Sequence, residues 1–134
     1  MTYLLDTNVC VAFLRRGTQA NVARKLAALS STEISVCAVV KQELIYGALH
    51  SERSAENLAK VRRLVDAFFS YPFDDAAAAV AGQLKHELAT QGSPIGPYDL
   101  QIAAIALAQN LTLVTHNCAE FLRVPGLRVE DWET

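Results

Sequence analysis

The chain has 134 residues, 51% apolar but only 7% aromatic, and a formal net charge of −2. That length suits one domain, expected over residues 1–134, with a single full core. A mildly acidic total excludes a protein that coats nucleic acid through charge alone, and no apolar run approaches the roughly 20 residues needed to span a bilayer.

Tyr3-Leu4-Leu5 is an apolar run without polar alternation, the pattern of a strand covered on both faces in a parallel sheet. It stops at Asp6, where Asp6-Thr7-Asn8 offers capping side chains for a helix over Val9 to Leu14. Gly17 ends that helix, and Thr18 is positioned to cap the next, Gln19 to Leu29. After a turn at Ser30-Ser31-Thr32, Glu33 to Val36 reads as a second strand and Ala38 to His50 as a helix. Ser54 caps a further helix through Phe69, with Leu58, Val61, Leu64, Val65 and Phe68 at helical spacing. These two helices should form a hairpin.

Tyr71 to Asp74 is extended, because Pro72 turns its neighbour away from helix. Asp75 to Ala89 is an alanine-rich helix. The Gly-, Ser- and Pro-containing loop Gln91 to Pro97 leads into a helix from Tyr98 to Gln109 that is apolar on nearly every side. Leu111 to Val114 is a strand, Cys118 to Leu122 a helical turn and Leu127 to Val129 a last strand. Short strands alternating with helices indicate an α/β fold around a parallel sheet.

Charge is unevenly spread: residues 1–63 carry nine Lys and Arg against five Asp and Glu, and residues 64–134 carry three against nine. Arg15-Arg16, Arg24-Lys25, Arg53 and Lys60/Arg62/Arg63 are candidates for a basic rim, with ordinary solvated helix faces as the plain alternative. Cys10, Cys37 and Cys118 are odd in number and scattered, so they form no disulfide or zinc framework. The N-terminus lacks the basic flank and apolar stretch of a signal peptide. A reducing cytoplasm is the expected compartment.

Four positions carry acids that composition alone does not explain. Asp6 ends a buried strand, where ligands gather in open α/β sheets, although a helix cap is a sufficient structural account. Glu43 falls on the apolar arc of its helix between Val39 and Gly47. A carboxylate there costs several kcal/mol unless it is paired or bound to a cation, and Gly47 leaves space beside it. Asp99 is the third residue of a helix opened by Pro97, where an acid complements the dipole, yet that helix holds no other charge. Thr115, Asn117 and Glu120 follow the strand Leu111 to Val114. Asn117 and Glu120 also fit an Asn-x-x-Glu capping pattern, and His116 reads as a surface or capping residue. If these acids converge, repulsion of roughly 1–4 kcal/mol per pair at about 4 Å calls for a divalent cation. Oxygen-only donors suit Mg²⁺ or Mn²⁺ rather than Zn²⁺.

Leu5-Asp6-Thr7-Asn8, Lys41-Gln42-Glu43-Leu44-Ile45-Tyr46-Gly47-Ala48 and Pro94-Ile95-Gly96-Pro97-Tyr98-Asp99 resemble the motifs of PIN-domain nucleases. Val114-Thr115-His116-Asn117, Glu120-Phe121 and the ending Gly126-Leu127-Arg128-Val129-Glu130-Asp131-Trp132 narrow the resemblance to VapC-type toxins of toxin–antitoxin modules. The resemblance covers essentially the whole chain. It implies a three-layer α/β/α domain with about five parallel strands. It also implies a Mg²⁺- or Mn²⁺-dependent endoribonuclease, often cutting tRNA to leave a 5′-phosphate and a 3′-hydroxyl. A VapB-type antitoxin and a homodimer are implied as partners. Asp6, Glu43 and Asp99 match the three acidic metal-site positions of the family. Asn117 stands where many members carry a fourth Asp, so Asn117 or Glu120 takes that place, with Thr115 beside it. Arg15 and Arg16 are the nearest cations to steer RNA.

Two other readings compete. Loss of the fourth Asp leaves room for a catalytically weak PIN-fold module that binds RNA or protein. A phosphoacceptor receiver domain also has an acid after an early strand. It would need a paired acid near the N-terminus and a Lys after a late strand, where this chain has Leu4-Leu5 and His116-Asn117.

Overall fold

A computed structural model describes residues 2–133, apart from the side chain of Thr18. Its centre is a five-stranded parallel sheet in the order β3-β2-β1-β4-β5. The strands are β1 (Tyr3–Leu5), β2 (Ile34–Cys37), β3 (Phe69–Tyr71), β4 (Thr112–Val114) and β5 (Arg128–Glu130). Seven α-helices surround it: α1 (Thr7–Arg16), α2 (Asn21–Ala28), α3 (Ala38–Leu49), α4 (Ser54–Asp66), α5 (Asp75–Thr90), α6 (Pro97–Ala108) and α7 (Cys118–Phe121). Every residue of β2 and β4 is buried, Ser35 and Thr112 included, which requires cover on both faces of the sheet. Among the described residues, no helix is long and apolar enough to cross a membrane.

The chain moves outward from β1 through β2 to β3, then returns to the other side of β1 for β4 and β5. The direction of winding therefore reverses between β1 and β4, and the crevice of an open α/β sheet forms at such a reversal. The backbone N–H of Asp6 donates to the carbonyl of Val114 at 3.0 Å, and that of Thr115 to Glu130 at 3.0 Å. Asp6 and Thr115 are thus tied to their neighbouring strands one residue beyond the sheet.

Helix α6 sets the other side of the crevice. Leu100 and Ile102 to Ala106 are buried, with α5 against the helix and α3 in contact as well. Pro97 occupies its first turn, where the absent N–H is no loss. The α3–α4 hairpin forms as expected. Helix α4, however, ends at Asp66, and Phe69 belongs to the edge strand β3 rather than to the helix. Helix α2 starts at Asn21 behind Ala20, after a 3-10 turn over Gly17–Gln19. The cap expected from Thr18 concerns a side chain outside those described.

Because α6 carries an acid into the crevice only while its core face is packed, its interior should be sensitive to truncation. Ile105, fully buried, changed to Ala should cost about 2–5 kcal/mol. Leu122→Ala, at a position 71% exposed, should stay within about 0.5 kcal/mol. Urea unfolding of the two variants checks the contrast.

Candidate metal centre

Asp6 is 3% exposed and performs two tasks at once. One oxygen accepts the Thr7 N–H at 2.7 Å, capping α1. The other accepts the Thr115 hydroxyl at 2.8 Å across the β1–β4 crevice. Burial pushes its carboxyl above the ordinary range, against the two hydrogen bonds, and the charges of Glu43 and Glu120 push the same way. A carboxylate has about four lone-pair directions, so two remain for a ligand.

Glu43 enters from α3, half-buried. Its Oε1 accepts the Thr7 hydroxyl at 2.8 Å. Thr7 thus connects the first two acids, donating its N–H to one and its hydroxyl to the other. The alternative of a buried salt bridge does not hold: among the described residues, neither Asp6, Glu43, Asp99 nor Glu120 pairs with Lys or Arg. Gly47, one turn on, has nothing within 4 Å of where a Cβ would stand. It opens onto a cavity of about 370 Å³ that Glu43 and Arg15 also line.

Asp99 and Glu120 form the other half of the site. Asp99 sits in the first turn of α6 and is raised to about 7, chiefly by burial, then by the hydrogen bond to Glu120 and the charges of Glu120, Asp6 and Glu43. Burial also pushes Glu120 up, but the Gly96 N–H, Asp99, Asn117 and the charge of Arg123 together hold it below its ordinary value. Burial and neighbouring charge therefore favour the protonated form on Asp99 more than on Glu120. Glu120 Oε1 accepts the Gly96 N–H at 3.1 Å, and Arg123 donates to the Pro94 carbonyl at 3.1 Å. These bonds fasten the loop before α6 to α7.

Asn117 does not cap α7 through its side chain, although the Asn-x-x-Glu spacing suggested that it would. Its amide donates to Glu120 Oε2, and its own N–H donates to Thr115 Oγ1 at 3.0 Å. Asn117 acts on the site by aiming Glu120. The four acids share one electrostatic field, yet no three have oxygens all within 4.8 Å of one another. Repulsion among them contributes to the raised titration of Asp99.

Arg15 and Arg16 are both exposed, and Arg15 lines the cavity beside Glu43 together with Lys60. Sequence reasoning did not single out Thr7 as a partner of Glu43; the Asp-Thr-Asn stretch offered only capping. The Gly96 N–H left no sequence signal, since any residue but proline supplies one.

The proton on Asp99 has a measurable consequence. A carboxyl held at about 7 in the folded chain and about 4 when unfolded binds its proton more tightly in the folded state. Stability of the metal-free protein should therefore fall as pH rises from about 4 through about 7. In EDTA, thermal unfolding should show a lower midpoint at pH 8 than at pH 5.5, and Asp99→Asn should flatten that difference. A slope unaltered in the variant would assign it to another group.

Residues 3–127 match the PIN domain family model. The chain is 41% identical over 132 residues to the tRNA(fMet)-specific endonuclease VapC of Shigella flexneri, covering 98% of both chains. It also resembles the crystal structure of DNA-bound VapBC from Salmonella typhimurium, with a TM-score of 0.92, 36% identity and 98% of each chain covered. For VapBC2 of Rickettsia felis bound to a promoter DNA fragment, the TM-score is 0.89 at 33% identity, over 98% of this chain and 99% of that one. The likeness spans the sheet, the crevice and the helices that carry the acids. The chain belongs to the PIN-domain family and, within it, to the VapC ribonucleases.

Proposed function

We propose that the chain is the endoribonuclease toxin of a VapBC-type pair, hydrolysing RNA, with tRNA as the substrate class, at a Mg²⁺ or Mn²⁺ centre held by Asp6, Asp99 and Glu43. One observation carries this reading: acids from β1, α3, α6 and α7 enter one crevice with no Lys or Arg paired to any of them. An all-oxygen donor set fits a hard cation such as Mg²⁺, which takes one or two carboxylates and keeps several waters. When bound, the cation supplies Lewis acidity that neutralises phosphate charge and makes water more acidic.

The residues divide the remaining work. Asp6, fixed by Thr7 and Thr115, presents its free lone pairs to the cation from a rigid strand end. Asp99, at the start of α6, would be the second ligand in its deprotonated form. Glu43, oriented by the Thr7 hydroxyl, accepts a proton from the attacking water. Glu120 takes the place of the fourth acid, with Asn117 and the Gly96 N–H fixing its direction. Arg15 and Lys60, on the cavity beside Glu43, offset the negative crevice for an approaching phosphodiester, and Arg16 extends that rim.

The antitoxin follows from the same family. The cavity beside Glu43 continues into a second of about 420 Å³, lined by Phe13, Leu14, Leu64 and Phe68 among others. Together they make an apolar groove between α1 and the α3–α4 hairpin, suited to an amphipathic segment of a VapB-type partner. A homodimer is proposed with it, and Tyr46 and Leu49, 62% and 56% exposed on α3, offer an apolar face. A tRNA substrate puts the protein in the cytoplasm.

Asp6→Asn and Asp99→Asn should each keep the fold and lower metal-dependent cleavage about 100-fold or more, roughly 2.7 kcal/mol of barrier. Sequencing RNA ends after a brief pulse of expression reads activity and substrate together. Undiminished cleavage in both variants discards the assignment and favours the binding-module alternative. Glu120→Gln should impair cleavage more than Asn117→Ala, because Asn117 acts only through Glu120. Reversing Arg15 and Arg16 together should weaken RNA binding and lower its salt slope by about 0.7 for each phosphate no longer neutralised. An unchanged slope moves the rim elsewhere.

A further inference from the structure

A second cluster of ligating side chains lies at the same end of the sheet and takes no part in the acidic crevice. His116 follows β4, while Asp131 and Glu133 follow β5. One donor atom from each lies within 4.8 Å of the other two. His116 Nδ1 is 3.1 Å from Asp131 Oδ2 and 3.4 Å from Glu133 Oε2. Donors held about 2.0–2.1 Å from a tetrahedral ion stand roughly 3.3 Å apart, so these spacings already have the right size.

The cluster is built by backbone rather than gathered at a loose surface. Thr115 N–H bonds to the Glu130 carbonyl and sets the register of the two segments. Trp132, between the two acids, is 3% exposed and meets Tyr3 edge-on at 5.0 Å. Asp131 and Glu133, on either side of Trp132, both reach His116. Glu133 N–H bonds to Asp131 Oδ1 at 2.9 Å, and the Asn21 side-chain amide bonds to the Glu133 carbonyl at 2.7 Å.

The charges do not balance without a cation. The side chains of Asp131 and Glu133 are only 22% and 17% exposed. Among the described residues neither has a Lys or Arg partner; His116 alone faces them, and an imidazole is charged only when protonated. Side-chain direction also separates the two sites. Thr115 and Asn117 turn to Asp6 and Glu120, and His116 between them turns the other way.

We infer that His116, Asp131 and Glu133 form a second metal site, selective for a borderline transition dication of the Zn²⁺ class, that clasps the 130–133 segment to the end of β4. The imidazole nitrogen supplies that selectivity, because nitrogen donors suit Zn²⁺ while the acid-only crevice suits Mg²⁺ or Mn²⁺. None of its three ligands belongs to the crevice, so the site does not depend on ribonuclease activity.

Zn²⁺ titrated into metal-free Asp6→Asn protein, with the crevice disabled, should bind one equivalent by calorimetry. His116→Ala added to that background should remove it. Glu133→Gln should weaken it about tenfold or more while leaving the thermal midpoint of the metal-free protein in place. In imidazole NMR spectra the His116 signals should shift on the first equivalent, with His50 and His86 as internal references. Zn²⁺ binding unaffected by His116→Ala, or His116 signals that stay still at one equivalent, overturns the site and leaves an ion pair only.

Discussion

Everything in the crevice depends on one hydrogen bond, from the Thr115 hydroxyl to Asp6 across the β1–β4 pair. Asp6 is the most deeply buried of the acids and carries a desolvation cost in its charged form, as its raised titration shows. Thr115 and the Thr7 N–H offset part of that cost. They also leave the carboxylate without freedom to turn away from its neighbours. Because winding reverses between β1 and β4, no crossover helix of either half covers the gap. The topology leaves room for a ligand, and the hydrogen bond keeps an acid facing it.

The other acids are attached to this anchor through short relays. Thr7 connects Asp6 to Glu43, while Asn117, whose N–H is held by Thr115, aims Glu120. Each relay uses a neutral hydroxyl or amide, and no Lys or Arg among the described residues pairs directly with these acids. Native proteins retain such unfavourable clusters where function needs them, with the cost offset by packing elsewhere. Here the packing is that of α6 on α5 and the sheet, with six buried residues in the helix that delivers Asp99. The raised titration of Asp99, due to burial and then to its acidic neighbours, reflects the repulsion that remains.

Asp6 and Asp99 were legible in the sequence because each interrupts an apolar stretch where the burial pattern changes. Glu43 was legible from helical spacing alone: Val39, Val40, Leu44 and Ala48 are all buried around it. Strand β3 was not. Phe68 continues the apolar period of α4, and Phe69, 64% exposed at a sheet edge, lacks the burial that marks a strand. Asn117 misled for a different reason. Glu120 lies three positions on whether the pair caps a helix or bonds side chain to side chain, and only the backbone at Asn117, with ψ near 56°, decides between them. Neither the Gly96 N–H nor the link between β4 and β5 leaves a mark in residue type, since both donors are backbone groups that bond to distant segments.

The tripeptide Thr115-His116-Asn117 shows how one strand end serves two directions. Its outer members bond to Asp6 and Glu120, and its middle member faces Asp131 and Glu133. A shift of register between β4 and β5 would exchange those directions and empty both clusters at once. Trp132 guards against that shift: its ring is buried beside Tyr3 of β1 and its N–H bonds to Glu130 at 3.0 Å. The last described residues therefore do more than close the sheet. By fixing where β5 stops, they fix which way Thr115 points, and through Thr115 the orientation of Asp6.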